Sequence, residues 1–148
     1  MEHLIYRAAQ LRPTIDNEGT VSGYAVVFYD GSPDTEGDLG LVHPSLAGIR
    51  ERISRGAVQF APEVWAFMSH DHNEVLGRLS AGTLKLNTDE RGVRYSIKLP
   101  DTTAARDLAA QIRAGNIGGS SFGMHPQSVR AVQTVEGGRQ IRTINSLT

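Results

Sequence analysis

Two stretches of this chain carry residue types that can do covalent chemistry. Ser69-His70-Asp71 offers an imidazole as a proton acceptor. Gly119-Ser120-Ser121-Phe122-Gly123 sets a hydroxyl among glycines, where a backbone can bend tightly and a substrate can come close. The chain has no cysteine, so a thiol nucleophile is excluded and serine is the natural candidate. If the two stretches meet in space, they form a serine nucleophile with its general base, the arrangement of a serine hydrolase. The serine stretch also satisfies G-x-S-x-G, the elbow of α/β-hydrolases, but its context does not. That elbow needs a strand before the serine, a helix after it and the histidine last in chain order. Here Pro126 follows closely, no helical pattern succeeds it, and His70 lies upstream.

Each of these residues also has a plainer reading. A histidine near the end of an apolar strand is commonly structural, although a strand orients a base better than a loop does. Asp71 would point away from His70 on a regular strand and reads as a cap or turn residue. His70 and His72, two apart on a strand, would share one face and could grip a metal ion with Asp71, Glu74, His43 or a distant carboxylate, though at no recognisable spacing. His3, His43 and His125 read as surface or turn residues. Arg78 is either a salt-bridged strand end or a contact for an oxyanion or substrate carbonyl. Asp101 reads as a helix cap, Asp89 and Glu90 as a turn, and Trp65 and Phe67 as core.

The elements that must position these groups are mostly strands. His3 to Leu11 and Val21 to Tyr29 read as strands around a turn at Asp16-Asn17-Glu18-Gly19. Asp30 to Gly40 reads as a polar loop. Pro44 opens a predicted helix in which Leu46, Ile49 and Ile53 recur and which Gly56 stops. Val64 to His70 is predicted as one buried strand, with Val75 to Leu79 and Thr83 to Leu86 continuing the sheet. Val93, Tyr95, Ile97 and Leu99 alternate with polar residues, the cleanest strand signal in the chain. A helix is predicted from Thr103 to Ala114, capped at Pro100-Asp101-Thr102, ended by Gly115, with Leu108, Ala109 and Ile112 inward. Ile117 to Met124 is extended again. A last hairpin pairs Ser128–Val135 with Arg139–Leu147 across Glu136-Gly137-Gly138. Many short strands with two helices predict a mainly β, α+β domain: a closed or nearly closed β-barrel flanked by helices.

The 148 residues suit one domain (1–148) with a real core, and 39% apolar with 21% charged residues is ordinary for a soluble globular protein. A net charge of −1 leaves no electrostatic footprint for nucleic acid and no polybasic membrane patch. The first residues lack a basic, apolar leader and no membrane span is visible, so the expectation is a protein that stays in the cell that makes it.

At the chemistry-bearing residues the chain resembles a known family, the tailed-bacteriophage prohead (procapsid maturation) serine proteases. The resemblance spans roughly Gly23 to Met124. It runs through Gly23-Tyr24-Ala25-Val26-Val27-Phe28, Glu51-x-Ile53-x-x-Gly56-Ala57, Ser69-His70-Asp71 and Leu76-Gly77-Arg78. It continues through Gly82-x-Leu84-x-Leu86, Asp89-Glu90-x-Gly92, Leu99-Pro100-Asp101-Thr102 with Arg106-Asp107, and Gly119 to Met124. Each piece is weak alone, and together they are in order. Where members often carry Asn-His-Asp this chain has Ser69-His70-Asp71, and where they often end Ser-Phe-Gly-Phe it has Met124.

The family is similar to the herpesvirus assemblins, which implies a β-barrel surrounded by helices. The resemblance implies Ser121 as nucleophile, Ser120 as its inert neighbour and His70 as base. Gly119, Phe122 and Arg78 are the implied oxyanion or substrate contacts, and no metal or organic cofactor is needed. It implies a peptide substrate in the capsid scaffold, the major capsid protein or the protease itself, within the immature capsid in the host cytoplasm. Homodimers or higher self-association follow from the assemblins. Similar phage proteins continue into a strand bearing an acidic residue, so the expectation is a chain cut short, with its third catalytic member beyond Thr148. After Ser121 this chain offers only His125 and Glu136. The rival reading is a non-catalytic capsid-assembly or scaffold-docking module of the same fold, and a remote one is a hydrolase built on a metal at His70 and His72.

Overall fold

Alternating apolar and polar residues turn most of this chain into strands, and one capped amphipathic segment into a helix. The computed structural model describes residues 4–148. In chain order the strands are β1 (Ile5–Ala9), β2 (Thr14–Ile15), β3 (Thr20–Val27), β4 (Gly37–Asp38), β5 (Ile49–Ile53) and β6 (Trp65–Met68). There follow β7 (Asp71–Arg78), β8 (Leu84–Thr88), β9 (Gly92–Lys98), helix α1 (Thr103–Arg113), β10 (Ser120–Met124), β11 (Arg130–Glu136) and β12 (Arg139–Ser146). Among the described residues α1 is the one α-helix, and none is long and apolar enough to cross a membrane.

The strands form four sheets rather than a barrel. One antiparallel sheet has the order β2-β3-β9-β8, and a mixed sheet has the order β11-β12-β5-β4, in which β12 and β5 run parallel. Two antiparallel pairs complete the fold, β1 with β10 and β6 with β7. The expected closed barrel with two or more flanking helices is therefore corrected to a mainly β protein with one helix and no closed barrel.

Two apolar clusters hold these layers together. Val26, Phe28, Ile53, Val93, Met124 and Ile144 pack between the sheets behind β10. Val21, Leu76, Leu84, Tyr95, Ile97 and Leu108 pack between the β2-β3-β9-β8 sheet, the β6–β7 hairpin and α1. The helix follows its sequence signals. The Thr102 side chain accepts from the Ala105 N–H, Leu108 and Ala109 are buried, and Gly115 leaves the helix at φ +77°. Asp101, expected as the cap, instead pairs with Arg106.

The helix predicted from Pro44 is absent. Pro44–Leu46 makes a single 3-10 turn capped by His43, and Gly48 at φ +83° redirects the chain into β5. The spacing of Ile49 and Ile53 fits a helix, but it fits a strand equally well. Pairing decides the outcome: β12 runs parallel along one edge of β5 and the short β4 antiparallel along the other, which gives the β5 backbone its partners. β5 also brings Glu51 into the interior, 4% exposed, where Arg7 of β1 and Arg142 of β12 both pair with its carboxylate. This ion cluster ties the β1–β10 pair to the mixed sheet.

Candidate active site

β10 is built so that its serines face different partners. It pairs with β1 in a register that sets Ser120 opposite Ala9 and Ser121 opposite Ala8. Gly119, just before it, lies so close to the Ala9 carbonyl that a Cβ would collide with it, so only glycine allows this approach. Gly123 makes room for a ring: a Cβ there would sit 3.0 Å from Tyr6 Cε1. Phe122 and Met124 turn into the first apolar cluster and anchor the strand.

The two hydroxyls are thereby separated in role. Ser120 Oγ hydrogen-bonds the Tyr95 hydroxyl at 2.6 Å. Tyr95 is buried, which pushes its phenol pKa up and keeps it neutral. It reaches Ser120 because residue 23 is glycine: a Cβ there would lie 2.6 Å from the Tyr95 oxygen. Ser121 alternates to the other, exposed face, and there its Oγ hydrogen-bonds Nε2 of His70.

His70 does not sit on a strand as expected. The segment read as one strand breaks after Met68, and Met68 pairs with Asp71 across a two-residue turn of Ser69 and His70. Both have positive φ, 49° and 60°, and they are the only non-glycine residues with positive φ among those described. Hairpin turns of this kind ask for a left-handed backbone at both central residues and favour Asn-Gly there. Ser-His pays strain instead, and strain of this sort gathers at functional sites. The turn projects the imidazole past its own hairpin to β10. The Tyr6 ring lies against it, with centroids 4.1 Å apart and the planes tilted by 50°. Burial first, and then the nearby His72, push the His70 pKa below 6.5, so the imidazole is neutral at pH 7 and free to accept a proton.

The turn also parts the two histidines that a strand would have held on one face. His72 stacks on Phe67 at 4.5 Å, nearly parallel, while His70 faces Ser121. Among the described residues no three His, Asp or Glu gather as metal ligands do. Asp71 accepts from the N–H and the side-chain amide of Asn73, a turn role as expected. Arg78 lies at the opposite end of the hairpin, paired with Trp65, about 10 Å along β6 from the turn. Its Nε donates to Glu63 at 2.8 Å and its guanidinium lies 4.3 Å over the Trp65 ring. Trp65 is correspondingly exposed rather than core, and Phe67 is half-buried. His125 is exposed before Pro126, Glu136 pairs with Arg52, and His43 caps its 3-10 turn; His3 lies outside the described residues. Among the described residues no side chain hydrogen-bonds His70 Nδ1; the Tyr6 ring is what packs on the imidazole.

Tyr6 and Tyr95 were not legible as site residues. Each is an ordinary aromatic in a strand pattern, and only the pairing of β1 with β10, far apart in sequence, brings Tyr6 to His70.

The site lies in a cleft of about 1020 Å3 that contains Tyr6, His70, Ser120 and Ser121. A neutral imidazole bonded to an exposed hydroxyl in such a cleft can take the hydroxyl proton as the oxygen attacks an acyl carbon. Comparison with known sequences returns one family: the profile of the Caudovirus prohead serine proteases matches residues 6–148. No curated protein and no solved structure matches the chain at a significant level.

Proposed function

The chain belongs to the Caudovirus prohead serine protease family, and on that premise we propose that it is a serine endopeptidase of capsid maturation with Ser121 as nucleophile and His70 as base. The observation that carries this reading is the hydrogen bond between His70 Nε2 and Ser121 Oγ, made between segments 51 residues apart in sequence. As Ser121 Oγ bonds to the scissile carbonyl carbon, its proton passes to His70 Nε2. The imidazolium then returns a proton to the leaving amine. Water repeats the cycle on the acyl-enzyme, giving its proton to His70 and releasing Ser121. Of the backbone N–H groups around Ser121, those on the edge of β10 turned away from β1 are the natural donors to the oxyanion. Tyr6 packs on the imidazole and holds its plane, and Arg78 stiffens the far end of the hairpin. The substrates implied by the family are capsid or scaffold protein segments inside the prohead. An enzyme enclosed with its substrate works at high local concentration, so slow intrinsic turnover would suffice.

Co-expression with scaffold and major capsid protein tests this. Ser121→Ala abolishes trimming, whereas Ser120→Ala, which loses the Tyr95 contact but not the nucleophile, slows it without abolishing it. Trimming that survives in a folded Ser121→Ala protein would refute the assignment.

A further inference from the structure

Four of the large apolar side chains that remain exposed converge on one place. Tyr6, Phe60, Trp65 and Val75 are 39%, 41%, 42% and 39% exposed, and all line the cleft that holds Ser121 and His70. Apolar surface gathered around a concave site marks where a partner is bound. The hairpin wall of the cleft is stiff. Arg78 lies over Trp65, Trp65 is parallel to Phe67 within 2° at 6.2 Å, and Phe67 is parallel to His72 within 4° at 4.5 Å. This ladder keeps the rings standing at the cleft instead of folding into it.

The same cleft offers almost nothing to a charged side chain. Among the described residues lining it there is no arginine, lysine or aspartate, and Glu63 is its one carboxylate. Glu63 is already engaged. Hydrogen bonds from Ser80, and then from Arg78, hold its pKa down to about 2. Behind the cleft lies the packed core of Leu76, Leu84, Ile97 and Leu108, all buried and apolar, so no charge approaches from beneath either.

Resting on the reading of this site as a peptidase, we propose that the cleft selects peptides with bulky aliphatic or aromatic side chains within a few residues of the scissile bond, with Trp65 and Phe60 as specificity-determining residues. An apolar side chain seated there leaves water at no polar cost. A charged one loses its hydration and finds no free counter-charge. An apolar pocket contact of this kind discriminates by about 10–100-fold in kcat/KM, and rejection of a charged residue is stronger, roughly 100-fold or more.

The experiment is a cleavage-site survey with a diverse peptide library on the full chain, run beside labelling of Ser121 by a small fluorophosphonate. The probe reads the Ser121–His70 pair without needing the side-chain subsites. The expected result is cleavage near Leu, Ile, Phe, Met or Trp, with Phe60→Ala lowering kcat/KM for those peptides by about 10-fold or more while Ser121 labelling persists; Trp65→Ala lowers both readouts, because Trp65 also steadies the hairpin that carries His70. Labelling also certifies the fold, and Phe60→Ala, outside the ring ladder, carries the test of specificity. Labelling together with a preference for charged residues, or with variants that keep the wild-type preference, would overturn this inference and leave the peptidase standing. No labelling of Ser121 in the wild-type protein would overturn the peptidase reading and this inference with it.

Discussion

β10, which carries Ser121, and the β6–β7 hairpin, which carries His70, are held in opposite ways. β10 is pinned from three sides. Met124 is buried in one apolar cluster, Tyr95 fixes Ser120 from the other, and β1 runs beside the strand, itself tied through Arg7 to the buried Glu51. The β6–β7 hairpin is a two-stranded pair with register shifts, its largest rings are exposed or half-exposed, and its turn holds two side-chain-bearing residues at positive φ. The nucleophile is thus placed by packing, and the base by a strained turn steadied by stacked rings. The difference says where error can enter. A loss of packing should move the nucleophile through the whole fold, whereas a change in the hairpin should alter the base while leaving the core intact.

The largest effect is expected on the anchored side. Glu51→Ala leaves Arg7 and Arg142 facing each other without the carboxylate that both use. Breaking a buried pair by removing one partner costs about 3–5 kcal/mol. Urea unfolding should show a loss of that order, and a loss below 1 kcal/mol would mean that β1–β10 is not anchored through Glu51. Tyr95→Phe is smaller. It removes one buried hydrogen bond, so stability falls by about 1 kcal/mol. If β10 is positioned as described, the rate of Ser121 labelling falls as well, and Ser120→Ala adds little on top of it because the two share one bond. Additive losses would separate Tyr95 from the placement of Ser121. The smallest effect has the opposite sign and lies in the hairpin. Ser69 sits at φ 49°, and Ser69→Gly removes that strain, raising stability by about 1 kcal/mol. Lower stability in Ser69→Gly would show that the turn is not strained.

What could be read in the sequence was local. The Thr102 cap and the Gly115 stop framed α1, strict alternation framed β9, and Gly137-Gly138 marked the last hairpin, because each of those signals acts within a few residues. The pairing partner of a strand is not a local property. Nothing near Ile49 indicates that β12 will run beside it, so β5 looked helical. The turn at Ser69-His70 was hidden for a different reason. It uses none of the glycine, asparagine or proline that normally announces a turn, and the apolar run before it reads as a strand that simply continues. Ser121 and His70 stood out through the family resemblance, and the structure sets the two side chains in hydrogen-bond contact, while Tyr6 depended on the register of β1 against β10. Arg78 was visible as a cation near the site but not as a partner of Glu63, whose carboxylate lies on the segment before β6.

The central claim is that a neutral His70 imidazole activates Ser121, and the pH dependence of Ser121 labelling by a fluorophosphonate tests it most directly. His70 is active when deprotonated, and burial together with His72 holds its pKa below 6.5. The rate of labelling should therefore be level above pH 7 and fall with acid through a single pKa below 6.5. In His70→Gln it should drop by about 100-fold or more and lose that limb. A labelling rate at Ser121 that is unchanged in His70→Gln, with the same pH profile, would contradict the account.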